Sequence, residues 1–118
     1  MSLLIFSERP GALADFYAKV LDTEPNWSGG DFKGFKIGAT GLAIGPHEKV
    51  RGNNMQPERI IVNFETANVK EECERLKAMG AKVIAEPYQP AEDESMWVAT
   101  FEDPDGNYFQ ITTPFEAK

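Results

Sequence analysis

Histidine and cysteine are nearly missing from these 118 residues, which carry one of each, His47 and Cys73. A lone cysteine makes no internal disulfide and fits a reducing compartment, so a cytoplasmic protein is expected. Cys73 also falls on the apolar stripe of a predicted helix with no histidine at hand, so no nucleophilic pair emerges. No apolar run approaches the ~18 residues of a membrane helix. The N-terminus lacks the basic flank and small-residue cleavage site of a signal peptide. Basic residues are outnumbered, 12 Lys and Arg against 19 Asp and Glu, giving a net charge of -7. Such a chain repels phosphate backbones, so no nucleic-acid partner is expected, and without a long apolar run no membrane partner either. The glycines between positions 29 and 45 precede no Lys-Ser or Lys-Thr pair, so they form no phosphate loop.

What is present suits one compact α+β domain, with 42% hydrophobic and 26% charged residues. The most informative stretch runs from Phe101 to Ile111. Pro104 presets a turn, and Gly106 and Asn107 tolerate positive φ, so Asp103 to Asn107 should reverse the chain between two apolar arms. The far arm puts Tyr108, Gln110 and Thr112 on one face and Phe109 and Ile111 on the other, as a strand with one buried face requires.

Elsewhere the order strand, helix, three strands occurs twice. Leu3 to Phe6 reads as a strand. Pro10 opens a helix whose stripe is Leu13, Phe16, Tyr17, Val20 and Leu21, and Asp22 to Pro25 closes it. Short strands follow near 26 to 30, 33 to 38 and 41 to 45. Residues 46 to 58 are polar, aperiodic and rich in Gly, Pro and Asn, and serve as a linker. It joins a first module, about 1 to 48, to a second, about 59 to 118. The second opens with a strand over Arg59 to Phe64. Asn68 and Glu71 make a capping box for a helix carrying Val69, Cys73, Leu76 and Met79, which Gly80 ends. Val83 to Glu86 is a strand, Pro87 to Ser95 a polar loop, and Met96 to Glu102 with Tyr108 to Thr113 the closing hairpin. Phe6 and Phe64 are 58 positions apart, as are Leu21 and Met79, so the repeat lies in pattern more than in letters.

These residues resemble a known superfamily. Two βαβββ units, an Ala-Asp-Phe-Tyr helix followed by Val-Leu-Asp, a Glu-Arg-Leu-Lys-Ala-Met-Gly-Ala helix and the terminal Asp-Pro-Asp-Gly-Asn-x-x-Gln are similar to the vicinal oxygen chelate superfamily. That group includes glyoxalases, extradiol dioxygenases, fosfomycin-resistance enzymes and bleomycin-resistance proteins. The resemblance implies the glyoxalase/bleomycin-resistance fold, curved mixed sheets forming cups, and a homodimer. Its metal-dependent members carry ligands at four strand positions, which fall here on Ser2, near Ala43, on Ile61 and on Gln110. Divalent metals want about three donors from His, Asp, Glu or the like. Only Gln110 could donate, so no metal and no other cofactor is expected.

No other residue completes the set. His47 sits in the linker and reads as a solvated bystander, and Glu48 beside it points away if the segment is extended. Glu65 shares strand parity with Ile61 and Asn63 and reads as solvated. Glu92-Asp93-Glu94 is a solvated charge run. Asp103 and Asp105 are explained by the turn.

Parity from the ligand positions sets Leu4, Phe6, Ile61, Asn63, Tyr108 and Gln110 on the concave faces. Leu3, Ile5, Ile60, Val62, Phe64, Phe109 and Ile111 then lie against the helices. Trp27 and Trp97 are candidate walls. The leading expectation is a binding protein of the bleomycin-resistance type, holding a small organic ligand in an aromatic-lined cup without a metal. The alternatives are a metal-dependent glyoxalase-like lyase, isomerase or dioxygenase, and a non-catalytic dimerisation module.

Overall fold

The computed structural model describes residues 1–90 and 95–114. The acidic run Glu92-Asp93-Glu94 lies outside them. The chain divides into two compact units, Met1–Asn53 and Asn54–Lys118.

In the first unit, β1 (Ser2–Phe6) leads through Ser7 into α1 (Pro10–Leu21), and β2 (Trp27–Gly29), β3 (Phe32–Ile37) and β4 (Thr40–Gly45) follow. The sheet order is β1-β4-β3-β2, with β1 parallel to β4 and the other pairs antiparallel. Pro10 opens the helix, and Leu13, Ala14, Tyr17 and Val20 are its buried stripe. Ser7 is wholly buried and joins strand to helix: its amide donates to the Gly45 carbonyl at 3.0 Å, and its Oγ accepts the Arg9 amide at 2.9 Å. The helix ends at Asp22, left-handed at φ 53°, with Thr23 N–H returning to the Ala18 carbonyl at 3.0 Å.

The second unit repeats the order with β5 (Val62–Glu65), α2 (Val69–Ala78), β6 (Lys82–Tyr88), β7 (Val98–Glu102) and β8 (Tyr108–Thr112). Its sheet order is β5-β8-β7-β6, again with the first pair parallel. Val69, Cys73 and Leu76 form the buried stripe of α2. They share the core with Ala99, Phe101, Phe109 and Ile111, all 3% exposed or less. Phe101 and Phe109 stack at 5.5 Å, and each such ring contributes about 1.5–3 kcal/mol by leaving water. Gly80 at φ 92° ends α2: Ala81 N–H reaches the Leu76 carbonyl and Gly80 N–H the Lys77 carbonyl, both at 3.0 Å.

Four expectations change. The opening strand of the second unit begins at Val62, not Arg59, because its length is set by pairing with Phe109 to Thr112. Ile60 therefore lies before the strand and is 71% exposed rather than packed under the helix. The Asn68 side chain caps nothing, so the capping box is absent; instead Thr66 Oγ1 accepts the Asn68 amide at 3.2 Å. Finally, β6 continues through Pro87 to Tyr88, where a polar loop is expected from the sequence. It is an edge strand with register shifts, and an edge tolerates proline.

The sequence spacing of 58 pairs Phe6 with Phe64, but the two lie on unlike faces. Phe6 is the register partner of Gly45, whereas Phe64 packs 6.0 Å from the buried Phe109. Helix starts at Pro10 and Val69 make Asn63 the counterpart of Leu4.

Candidate functional site

Each sheet turns one face to its helix and leaves the other free of it. In the first unit the helix-free face is aromatic, and glycine makes it so. Trp27 is the register partner of Gly34, Gly34 of Ala43, and Ala43 of Leu4, so these four form one row across the sheet. A β-carbon on Gly34 would collide with the Trp27 indole. A β-carbon on Gly45 would collide with the Phe32 ring in the same way. Both rings therefore rest directly on sheet backbone, an approach that any side chain at these glycines would block. Phe6 meets Phe32 edge-on at 6.3 Å and His47 edge-on at 4.9 Å. Trp27 and Leu4 remain 52% and 50% exposed.

His47 is exposed, as the sequence implies, yet its ring is held against Phe6. Its Nδ1 accepts the Lys49 amide at 3.0 Å. Arg51 brings the same segment back to Glu8, with Nε 3.6 Å from Oε2.

In the second unit the helix-free face is polar. Asn63, Gln110 and Thr100 are register partners across β5, β8 and β7. Gln110 Nε2 donates to Thr100 Oγ1 at 3.0 Å, and Thr100 is 5% exposed. One row to one side pairs Glu65, Thr112 and Val98; to the other side Tyr108 meets Glu102, whose carboxylate holds Lys82 Nζ at 3.0 Å. Ile61 precedes β5, half-buried.

Trp97 is placed apart from this row. Lys70, in the first turn of α2, sits with Nζ 3.9 Å from its ring centroid, a cation over an aromatic face. Trp97 backbone and Thr113 hold one another, through Trp97 N–H to Thr113 Oγ1 at 2.9 Å and Thr113 N–H to the Trp97 carbonyl at 3.1 Å. Of the eight residues expected to line a site, Leu4, Phe6 and Trp27 thus share one face, and Asn63, Tyr108 and Gln110 share another. Phe32, Gly34, Gly45 and Thr100 belong with them and are not singled out by sequence. The signal available was the alternation of glycine with aromatic residues, which acquires meaning only through register.

The closing turn supplies rigidity. Asp103, 4% exposed, accepts the amides of Asp105 at 2.8 Å and Asn107 at 3.0 Å on Oδ1, and the Asn107 side-chain amide at 2.9 Å on Oδ2. The turn in turn holds Asn54, whose amide donates to the Asp105 carbonyl at 2.8 Å. A carboxylate so occupied by N–H donors is a structural group.

The donor chemistry at the four family metal positions does not fit a divalent ion. They carry a serine hydroxyl, Ala43, Ile61 and one neutral amide, with no carboxylate, imidazole or thiolate among them. Among the described residues no group of three or more His, Cys, Asp or Glu converges. Cys73 offers no nucleophile: burial pushes its thiol pKa up, and the Glu86 charge adds to the effect. Among the described residues no helix is long and apolar enough to cross a membrane.

Comparison with known proteins agrees with this architecture. A family model described as a glyoxalase-like domain matches residues 3–112. No curated protein sequence matches the chain. Among solved structures, the chain is similar to a glyoxalase/bleomycin resistance protein/dioxygenase family enzyme from Burkholderia phytofirmans PsJN. The TM-score is 0.77 at 20% identity, covering 97% of each chain. It is also similar to a hypothetical protein from S. aureus, with TM-score 0.75 and 20% identity over 97% of this chain and 92% of that one. A third, a fosfomycin resistance protein from Mesorhizobium loti, gives 0.67 and 21% over 97% of this chain and 89% of that one. At such identities the structural likeness speaks for the fold, two units each with a mixed four-stranded sheet and one helix. With the model spanning nearly every residue, the chain belongs to the glyoxalase-like domain family.

Proposed function

We propose that this protein binds a small organic molecule on the aromatic, helix-free face of its first unit, without a metal, and works as a homodimer in the cytoplasm. The observation that supports this most is the seating of the Trp27 indole over Gly34 and of the Phe32 ring over Gly45. Rings laid on bare backbone form a broad apolar floor, and a planar ligand stacks on such a floor with little ordering cost to the protein. Half of Trp27 still faces outward. Small-molecule sites are of this kind, mostly apolar with a few polar groups. The net charge of -7 favours a neutral or cationic ligand over an anion.

The metal-dependent reading, a lyase, isomerase or dioxygenase, needs donors that Ser2, Ala43 and Ile61 do not offer. Homodimerisation is the habit that the family resemblance implies for chains of this length. A thermal-shift screen of planar neutral and cationic compounds on chelator-treated protein tests the binding, with Trp27→Ala as the comparison. Light scattering tests the dimer. A protein that no compound stabilises would favour a non-catalytic dimerisation module.

A further inference from the structure

The two units carry the same row at the same place in the sheet but with opposite chemistry. In the first unit it reads Leu4, Ala43, Gly34, Trp27; in the second Asn63, Gln110, Thr100, Ala85. A sheet face that only packs against apolar matter has no use for two primary amides side by side, because each must keep its hydrogen bonds or lose free energy on burial. Gln110 is half-buried, and its orientation is set: Nε2 donates to the buried Thr100 hydroxyl at 3.0 Å, which aims Oε1 the other way as an acceptor. Asn63 is exposed on the neighbouring edge strand and brings an amide with both a donor and an acceptor. A fixed acceptor beside a second amide matches a group that donates and accepts at once.

We infer that the row Asn63–Gln110–Thr100 recognises a neutral carboxamide, lactam or similar donor–acceptor group on a small molecule. Gln110 Oε1 accepts its N–H and the Asn63 amide meets its carbonyl. Thr100 is a positioning residue that holds the Gln110 amide and touches no ligand. A carboxylate in place of the carboxamide is rejected, since it has no N–H for Gln110 Oε1. The inference rests on the reading of this chain as a small-molecule binder, and assigns a polar recognition row to the second unit taken by itself.

The test is a nuclear magnetic resonance titration of isotope-labelled protein with benzamide and, separately, benzoate, following the side-chain amide signals of Gln110 and Asn63 and the indole N–H of Trp27. Benzamide should move the Gln110 and Asn63 signals saturably, and benzoate should not. Gln110→Met keeps the length and removes the hydrogen bonds, and should weaken benzamide by about tenfold, the worth of a hydrogen bond at the upper end of its usual range. Thr100→Val should weaken it by about threefold, through loss of Gln110 orientation alone. The proton spectra of both variants report whether they fold.

Equal response to benzamide and benzoate, or no movement of Gln110 and Asn63 up to the solubility limit, overturns the inference. Movement of Trp27 without Gln110 and Asn63 overturns it while leaving the aromatic floor intact. Movement of Gln110 and Asn63 without Trp27 supports it and counts against the floor.

Discussion

The Trp27 indole fills the space that a β-carbon on Gly34 would need. The pair is a tryptophan and its cross-strand register partner, so the ring lies back over its own hairpin. Gly34 has no positive φ, and alanine is therefore open to its backbone while closed to its surroundings.

Gly34→Ala should lift the indole off the sheet, costing about 1–3 kcal/mol as overpacked sites do. Urea unfolding measures the cost, and a red shift of tryptophan emission reports the lifted ring. Unchanged emission with unchanged stability would mean that the ring does not need the gap.

Asp103→Ala removes the acceptor of two backbone amides and one side-chain amide from a buried position. The expected loss is about 2 kcal/mol or more, because the donors are left without partners. Hydrogen exchange should quicken first at Asp105, Asn107 and Asn54, which the turn ties together. A loss within the scatter of surface substitutions would contradict the role given to this carboxylate.

Lys77 joins α2 to β6, with Nζ 2.7 Å from Glu86 and 3.5 Å from Glu74. The hydrogen bond to Glu86 raises its pKa above the ordinary 10.5; desolvation opposes the rise, and the Glu74 charge adds to it. A raised lysine pKa stabilises the fold fully below 10.5 and ceases to do so as pH climbs through the folded-state value. The stability gap between wild type and Lys77→Met should thus be constant from neutral pH up to about 10.5 and shrink as pH climbs above it. Denaturant midpoints across alkaline pH measure this, and a gap that widens there would refute the assignment.

Gln110→Glu places a carboxylate at one of the four family metal positions, yet Ser2, Ala43 and Ile61 still supply no carboxylate, imidazole or thiolate beside it. Equilibrium dialysis with nickel, zinc and manganese should find no stoichiometric binding to the variant. The variant should also stay folded, because Thr100 Oγ can donate to the new carboxylate. Tight binding of one ion per chain would mean that donors elsewhere converge on this position.

The parts legible in sequence were those set by neighbours along the chain. Asp103 to Asn107 is a turn because Pro104 and Gly106 dictate it locally, and the stripes of α1 and α2 follow from helical spacing. Parity within a strand also carried over, with Phe109 and Ile111 buried and Gln110 on the other face. What pairing decides was less legible. Ile60 and Ile61 have the character of strand residues, but the parallel pairing with β8 begins only at Val62, opposite Phe109. Pro87 looks like a strand end, and only an edge position makes it acceptable. The aromatic floor was hidden for the same reason: Gly34 and Gly45 matter through the rings that lie on them, and Trp97 through Lys70, a contact made by a helix.

The most direct test of metal-free binding on the aromatic floor is the melting temperature of chelator-treated protein with and without the best planar compound, in wild type and Trp27→Ala. The account predicts a rise in wild type that the chelator leaves intact and that Trp27→Ala abolishes. A rise that depends on added metal, or that survives in Trp27→Ala, would contradict it.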